Sequence, residues 1–291
     1  MSKGFLVVDK PSDVTSTHVV NQVKKATGVR KVGHAGTLDP MATGAMVLAL
    51  GKVTRLIRFI QDQPKEYEAV AQFGVATDTL DADGSVLNRQ PMEVEPADLE
   101  SVVPRFLGRI HQVPPMVSAL KSGGRRLHEL AREGVVVERD ARPVQIHELE
   151  IISVGPGPYP EVGFRVVCGK GTYVRSLADD IATVLGGFAH LRSLRRKRIG
   201  TLQASEGVRL DELPGWRSHL LTPAEGLRDL PAVTVGEATA KGVRHGMRFL
   251  GGELSKAPEG EPCRVLDDTG GLLAVYVWDG SQAFPEVVLP E

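Results

Sequence analysis

The sequence predicts an α+β fold: a mixed sheet in a large domain, followed by a small β-rich C-terminal part. Three observations carry that prediction. Apolar runs of strand length recur at Gly4–Asp9, Ala45–Leu50, Lys65–Gly74, Val144–Val154 and Glu161–Cys168, broken by helical stretches in no strict strand–helix–strand rhythm. Beyond Val233 the texture turns to glycine-rich β, with strands expected at Val243–Phe249, Cys263–Leu266 and Leu272–Trp278 and turns at Asp268–Gly271 and Asp279–Gly280. A length of 291 residues with 42% hydrophobic content suffices for one large domain and one small one. The expected division is residues 1–230, with an insertion near 77–154, and residues 231–291.

Each element has its own reason. A helix begins at Thr15 or Ser16 as cap, carries Val19, Val20 and Val23 on one face, and stops at Gly28. Ala45–Leu50 is a continuous apolar run and reads as a buried strand. Lys52–Ile60 is helical in pattern, with Leu56, Ile57 and Ile60 inward, and Pro96–Leu107 is a second helix. Lys65–Gly74 alternates, which puts Tyr67 at the head of a core-facing row with Ala69, Ala71 and Phe73. Gly155-Pro-Gly-Pro turns the chain between the next two strands, and Tyr173–Leu185 is an amphipathic helix ending at Gly186-Gly187. Residues 222–232 read as a short capped helix and a linker.

Composition narrows the function. Cys168 and Cys263 have no CxxC spacing, so neither a disulfide framework nor a zinc site is indicated, and a reducing cytoplasm is the expected compartment. No leader pattern opens the chain, and no stretch approaches the ~20 apolar residues of a membrane span. Asp81-x-Asp83-Gly84 fails as a calcium loop, because Thr79 and Gln90 fall where a carboxylate and a bidentate Glu are needed. Gly169-Lys170-Gly171-Thr172 fails as a phosphate loop for want of Ser or Thr after the lysine. No metal and no cofactor are expected.

Basic and acidic residues nearly cancel, 35 against 36, yet they are not mixed. Lys24, Lys25, Arg30 and Lys31 form one basic cluster; Lys121, Arg125, Arg126 and Arg132 form a second; Arg192, Arg195, Arg196, Lys197 and Arg198 form a third. Acids gather at Asp78–Asp83, Glu93–Glu100 and the C-terminal end. Three basic clusters on a neutral chain point to a phosphate-binding surface, with Lys121, Arg125, Arg126, Arg195, Arg196 and Lys197 as backbone-contacting residues.

Residues 33–44, Gly-His-Ala-Gly-Thr-Leu-Asp-Pro-Met-Ala-Thr-Gly, concentrate the chemistry. Three glycines and a proline shape an irregular backbone around one carboxylate, Asp39, and one imidazole, His34. A short polar loop pinned to a buried strand is how a rigid scaffold presents a reactive group. A single carboxylate fits a nucleophile better than a glycosidase, which uses two acids flanking the bond.

This loop resembles the signature of the TruB family of transfer RNA pseudouridine synthases, Gly-His-x-Gly-x-Leu-Asp-Pro-x-Ala-x-Gly. The likeness continues through Asp9-Lys10-Pro11-Ser12-Asp13-Val14-Thr15-Ser16, Lys65-Glu66-Tyr67, Gly74–Gly84, Pro114–Lys121, Gly169–Leu177 and His190–Gly200, in the family's order. Asp13 stands where the family usually has Gly, and His128 where Tyr is common. The resemblance implies that Asp39 is the catalytic nucleophile and that uridine 55 in the T-arm loop of transfer RNA is the target, flipped out of its stack. It further implies that Arg175 pairs with Asp39, that Tyr67 stacks on the uracil and takes part in proton removal, that Leu194 packs on the flipped ring, and that Tyr173 lines the substrate site. His34 would fill the space the base leaves, or else hold the loop by hydrogen bonds. A PUA-like RNA-binding barrel is implied for the C-terminal segment. The expected partner is the transfer RNA T stem-loop, with no membrane, no obligate protein partner and a monomeric enzyme. A guide-RNA-dependent synthase of dyskerin type, a non-catalytic RNA-binding or RNA-folding protein, and a nucleoside glycosidase remain as alternatives.

Overall fold

The computed structural model describes residues 4–118, 120–122, 125–127, 130, 133, 135 and 137–289. The chain condenses into two units that are not consecutive in sequence. The first comprises Met1–Pro40, Gly44–Gln63 and Arg198–Glu291; the second comprises Met41–Thr43 and Pro64–Lys197.

In the first unit, strand β1 (Gly4–Lys10) leads to helix α1 (Ser16–Thr27). The Thr15 hydroxyl accepts from the His18 amide at 3.1 Å to cap the start of α1, and Gly28 closes its end at φ 70°. Strand β2 (Val32–His34) pairs antiparallel with β3 (Thr43–Leu50), which pairs in turn with β1. Both faces of β1 and β3 are buried. Phe5, Val7, Ala45, Val47 and Ala49 enter one core cluster, and Leu6, Val8, Met46, Leu48 and Leu50 another with Val19, Val20 and Val23 of α1. That two-sided burial is why these strands read as unbroken apolar runs. After β3 comes a 3₁₀ turn over Gly51–Leu56 and then helix α2 (Ile57–Gln61), not the continuous helix expected; Val53, Leu56, Phe59 and Ile60 point inward and Ile57 only partly.

The second unit begins with β4 (Lys65–Phe73), whose buried row is Tyr67, Ala69, Ala71 and Phe73 as its alternation requires. A hairpin of β5 (Val75–Thr77) and β6 (Val86–Arg89) follows, then helix α3 (Pro96–Val102). The expected longer helix breaks into a 3₁₀ turn at Val103 because Pro104 has no amide to continue the ladder. Strand β7 (Gly108–Gln112), a short hairpin of β8 (Lys121–Ser122) and β9 (Arg125–Arg126), β10 (Arg142–Val154), β11 (Glu161–Cys168), helix α4 (Val174–Val184) and β12 (Ala189–Ile199) complete it. The strand order is β12–β4–β11–β10–β7, with antiparallel pairing of β4, β11, β10 and β7.

The chain then returns to the first unit. β13 (Leu202–Gln203) pairs with the end of β12, and β14 (Leu220–Leu221) adds to the free edge of β1. Thr222 and Glu225 cap helix α5 (Pro223–Gly226) reciprocally. The C-terminal part is a four-stranded sheet in the order β15 (Ala232–Thr234), β16 (Pro262–Leu266), β17 (Leu272–Trp278), β18 (Ala283–Val288), with helix α6 (Glu237–Arg244) against it. The strand expected at Val243–Phe249 is therefore wrong. Val243 is the buried face of α6, and a Cβ on Gly242 would sit 2.9 Å from Phe249 Cζ, so close packing demands glycine inside a helix. This sheet has its own cluster, including Val265, Ala274 and Tyr276, while Val275 and Val287 join the core of Phe5 and Val7. The α+β class with a small β-rich C-terminal part is the architecture observed.

Candidate active site

The signature loop joins β2 to β3. The amide of Ala35 still donates to Val47 O at 2.9 Å, after which the chain leaves the ladder. Ala35, Leu38, Met41 and Ala42 are buried, Thr37 and Pro40 are exposed, and Asp39 lies half-buried between them. The apolar positions anchor the loop and the acid is left at its accessible crest.

What immobilises that crest comes from the opening block of the chain. The Ser16 hydroxyl donates to Leu38 O and accepts from Leu38 N, both at 2.9 Å. The Lys10 ammonium, fully buried, donates to Pro40 O and Pro11 O, each at 2.9 Å. Pro40 O also accepts from Asp13 N at 3.0 Å. The residues on both sides of Asp39 are thus held by hydrogen bonds to their backbone groups, which fixes the position of the acid between them. Asp13 sits at φ 63°, the left-handed region that Asp tolerates better than most residues, so the departure from Gly leaves the turn intact. Lys10 and Ser16 lie in the Asp9–Ser16 block, where no local pattern marks either residue as a partner of a loop more than twenty positions away. Ser16→Ala is expected to cost about 1–3 kcal/mol, since the buried amide and carbonyl of Leu38 lose their partner. Chemical denaturation measures that loss, and turnover should fall more than binding.

His34 is half-buried at the end of β2, and its Nδ1 accepts from Gly36 N at 3.3 Å. That bond assigns the ring proton to Nε2 in the neutral form. This contact is local, between residues two apart in the loop.

The remaining expected site residues fall in the second unit. Tyr67 on β4 is 9% exposed and Leu194 on β12 is 7% exposed. Tyr173 precedes α4, where its amide and carbonyl are matched by Gln112 Oε1 and Nε2 at 3.1 and 3.2 Å. Arg175, in the first turn of α4, is 2% exposed and lies in an ion pair with Asp81, at 3.0 Å from Nη1 to Oδ2. The same guanidinium donates to Thr79 O and Val117 O, each at 2.7 Å. Asp81 in turn accepts from Asp83 N at 3.2 Å and from the Thr79 hydroxyl, while Thr77 Oγ1 donates to its carbonyl at 2.8 Å. The sequence shows Asp81 only in a failed calcium-loop pattern, because this pairing joins residues far apart in the chain.

The basic clusters divide. Arg196 is 1% exposed and is removed from the backbone-contacting set, because β12 is a strand and alternate residues face opposite sides. Arg195 and Lys197 are half-buried, and Lys197 pairs with Glu68 at 3.1 Å. Exposed Arg125 pairs with Glu133. The side chains of Lys121 and Arg126, and residues His128 and Arg132, lie outside the described residues. Both cysteines are buried, and burial pushes the Cys168 and Cys263 thiols up to about 11, so neither supplies a thiolate near neutral pH. Among the described residues, no group of three or more His, Cys, Asp or Glu is arranged to hold a metal ion, and no helix is long and apolar enough to cross a membrane.

Residues 24–174, which include the whole signature loop, match the model of the TruB family pseudouridylate synthase N-terminal domain. The chain belongs to the TruB family. A tRNA pseudouridine synthase B of Symbiobacterium thermophilum is 46% identical over 84% of this chain and 82% of its own length. A protein of the same name from Ralstonia nicotianae is 40% identical, covering 97% and 93%. Among solved structures, a Cbf5–Nop10–Gar1 complex superposes with TM-score 0.77 at 25% identity, over 99% of this chain and 85% of that one. This TruB-family chain is accordingly a pseudouridine synthase, an isomerase that exchanges an N-glycosidic bond for a C-glycosidic one.

Proposed function

We propose that this protein converts uridine 55, in the T-arm loop of transfer RNA, to pseudouridine, with Asp39 as nucleophile. The observation that carries the reading is the fixation of Leu38 and Pro40 on either side of a half-buried Asp39. The reaction is a balanced isomerisation: the N1–C1′ bond breaks, C5 bonds to C1′, C5 loses a proton and N1 gains one. A carboxylate can form and release the covalent intermediate this requires. No oxidant, reductant or co-substrate enters the balance, so neither metal nor cofactor is part of the proposal. Tyr67 would stack on the uracil and assist C5 deprotonation, Leu194 would pack on the ring, Tyr173 would line the site, and Arg175 would orient Asp39. His34 would occupy the space of the extruded base, whose removal from the stack costs roughly a few kcal/mol. Residues 231–291 would act as a PUA-like RNA-binding domain of a monomeric, cytoplasmic enzyme working without a protein partner.

Identity of 46% and 40% to proteins named tRNA pseudouridine synthase B, against 25% to Cbf5, favours a stand-alone enzyme over a guide-RNA-dependent one. The test is incubation of the purified protein alone with unmodified transfer RNA, followed by mapping of pseudouridine. Conversion at the single T-arm uridine is the expected result. Release of free uracil would mark a glycosidase, and product only with an added guide RNA would mark the dyskerin type. Activity should also survive dialysis against excess chelator once RNA folding is maintained with polyamine; turnover restored only by zinc would overturn the metal-free mechanism.

A further inference from the structure

Beside the signature loop, a groove of about 650 Å³ opens along β2 and α2. Its lining includes Lys31, His34, Arg55 and Arg58, and none of the described residues lining it is acidic. On a chain of net charge −1 this is a concentrated positive surface. We propose that the groove is a binding track for the ribose-phosphate backbone flanking the extruded nucleotide. The inference rests on the function proposed above and names where the RNA strand runs.

Three features support it. Lys31, Arg55 and Arg58 are exposed, so their charges reach solvent. Arg55 and Arg58 stand three residues apart across the junction of the 3₁₀ turn and α2, which places their side chains on one face about 5–6 Å apart at Cβ. Two neighbouring guanidinium groups suit consecutive phosphates, which they can each bind bidentately. Finally, the groove shares His34 with the loop that carries Asp39, so a strand lying in it would run up to the base of that loop.

The arginines also have structural contacts. Arg55 Nη1 donates to Val288 O at 3.3 Å, and Arg58 Nη2 donates to Glu286 O at 3.2 Å and pairs with the Glu286 carboxylate. These contacts engage one nitrogen of a group that carries five N–H donors. The Glu286 pair is solvent-exposed and therefore worth little. Phosphate contact and anchoring of β18 are compatible.

The test uses the full chain and full-length unmodified transfer RNA, with affinity measured across a salt series for wild type, Lys31→Gln, Arg55→Gln and the double variant. Each lost cation should lower the log–log salt slope by roughly 0.7–0.9 and the double variant should bind about tenfold more weakly at moderate salt. In turnover the loss should appear in KM, with kcat kept within about twofold. Arg55→Lys should restore most of the slope, because it keeps the charge. Lys31→Gln, lacking the β18 contact, keeps the test valid if Arg55→Gln unfolds. Unchanged affinity and slope in Lys31→Gln and in a folded double variant would overturn the groove, as would a kcat loss at unchanged KM. Pseudouridine mapping with the wild type in the same assay separates failure of the groove from failure of the proposed reaction.

Discussion

Asp39→Asn should abolish isomerisation, lowering turnover at saturating transfer RNA by about 10⁴-fold or more, because the amide keeps the shape of the side chain and loses its nucleophilicity. Affinity for transfer RNA should stay within about tenfold of wild type and thermal stability should hardly move. The reason lies in how the loop is held: Ser16, Lys10 and Asp13 grip the backbone of Leu38 and Pro40, and the apolar residues Ala35, Leu38 and Met41 are buried. A single-turnover assay with radiolabelled RNA, with mass spectrometry guarding against deamidation back to Asp, measures the effect. Pseudouridine formed at near wild-type rate by the Asn variant would remove Asp39 from the mechanism.

Breaking the Arg175–Asp81 pair should have the largest effect on stability. Both side chains are almost fully buried, at 3% and 7% side-chain exposure, so removing one costs a charge-assisted contact that solvent does not replace. Asp81→Ala is expected to destabilise the fold by about 3–5 kcal/mol. In a protein of this size that corresponds to a fall in Tm of roughly 10 °C. Asp81→Asn, which keeps an acceptor for the guanidinium, should lose less. The double variant Asp81→Ala with Arg175→Leu should recover part of the stability lost by Asp81→Ala alone, because the buried guanidinium that lost its carboxylate partner is gone as well. Activity supplies the second readout. If Arg175 also orients Asp39, the double variant regains stability and not turnover, and Arg175→Lys lowers kcat more than it raises KM. Recovery of stability and turnover together would make the pair purely structural. Equal melting temperatures for Asp81→Ala and wild type would contradict the buried pair itself.

Much of this was legible in the sequence. The two-sided burial of β1 and β3, the Thr15 and Gly28 caps of α1 and the inward row of β4 are local devices, and local devices leave local patterns. The loop around Asp39 was legible for the same reason. Strand β12 was not, because Arg192, Arg195, Arg196, Lys197 and Arg198 interrupt its apolar row and invite a solvent-facing reading, although Leu191, Leu194, Arg196 and Ile199 are buried. The Arg175–Asp81 pair was hidden because its members are brought together only by folding of the whole second unit. Helix α6 was misread because Gly242 and Gly246 answer to Phe249 and to the turn that follows, demands no single segment displays. Tertiary packing overruled local propensity there.

The first unit is stitched from segments far apart in the sequence, since Phe5 and Val7 share one core with Ile199, Val275 and Val287. On the ribosome, therefore, β1 must wait for β17 and β18 before its apolar face is covered. The intervening stretch, Pro64–Lys197, can begin to close meanwhile because the pairings of β4, β11, β10 and β7 lie within it. Joining distant segments is the slow, entropically costly step of folding. The loop that carries Asp39 hangs from β3, in that late-forming core. Nascent chains should therefore expose a sticky β1–β3 edge to chaperones, and an enzyme cut short should hold its aspartate on an unfinished scaffold.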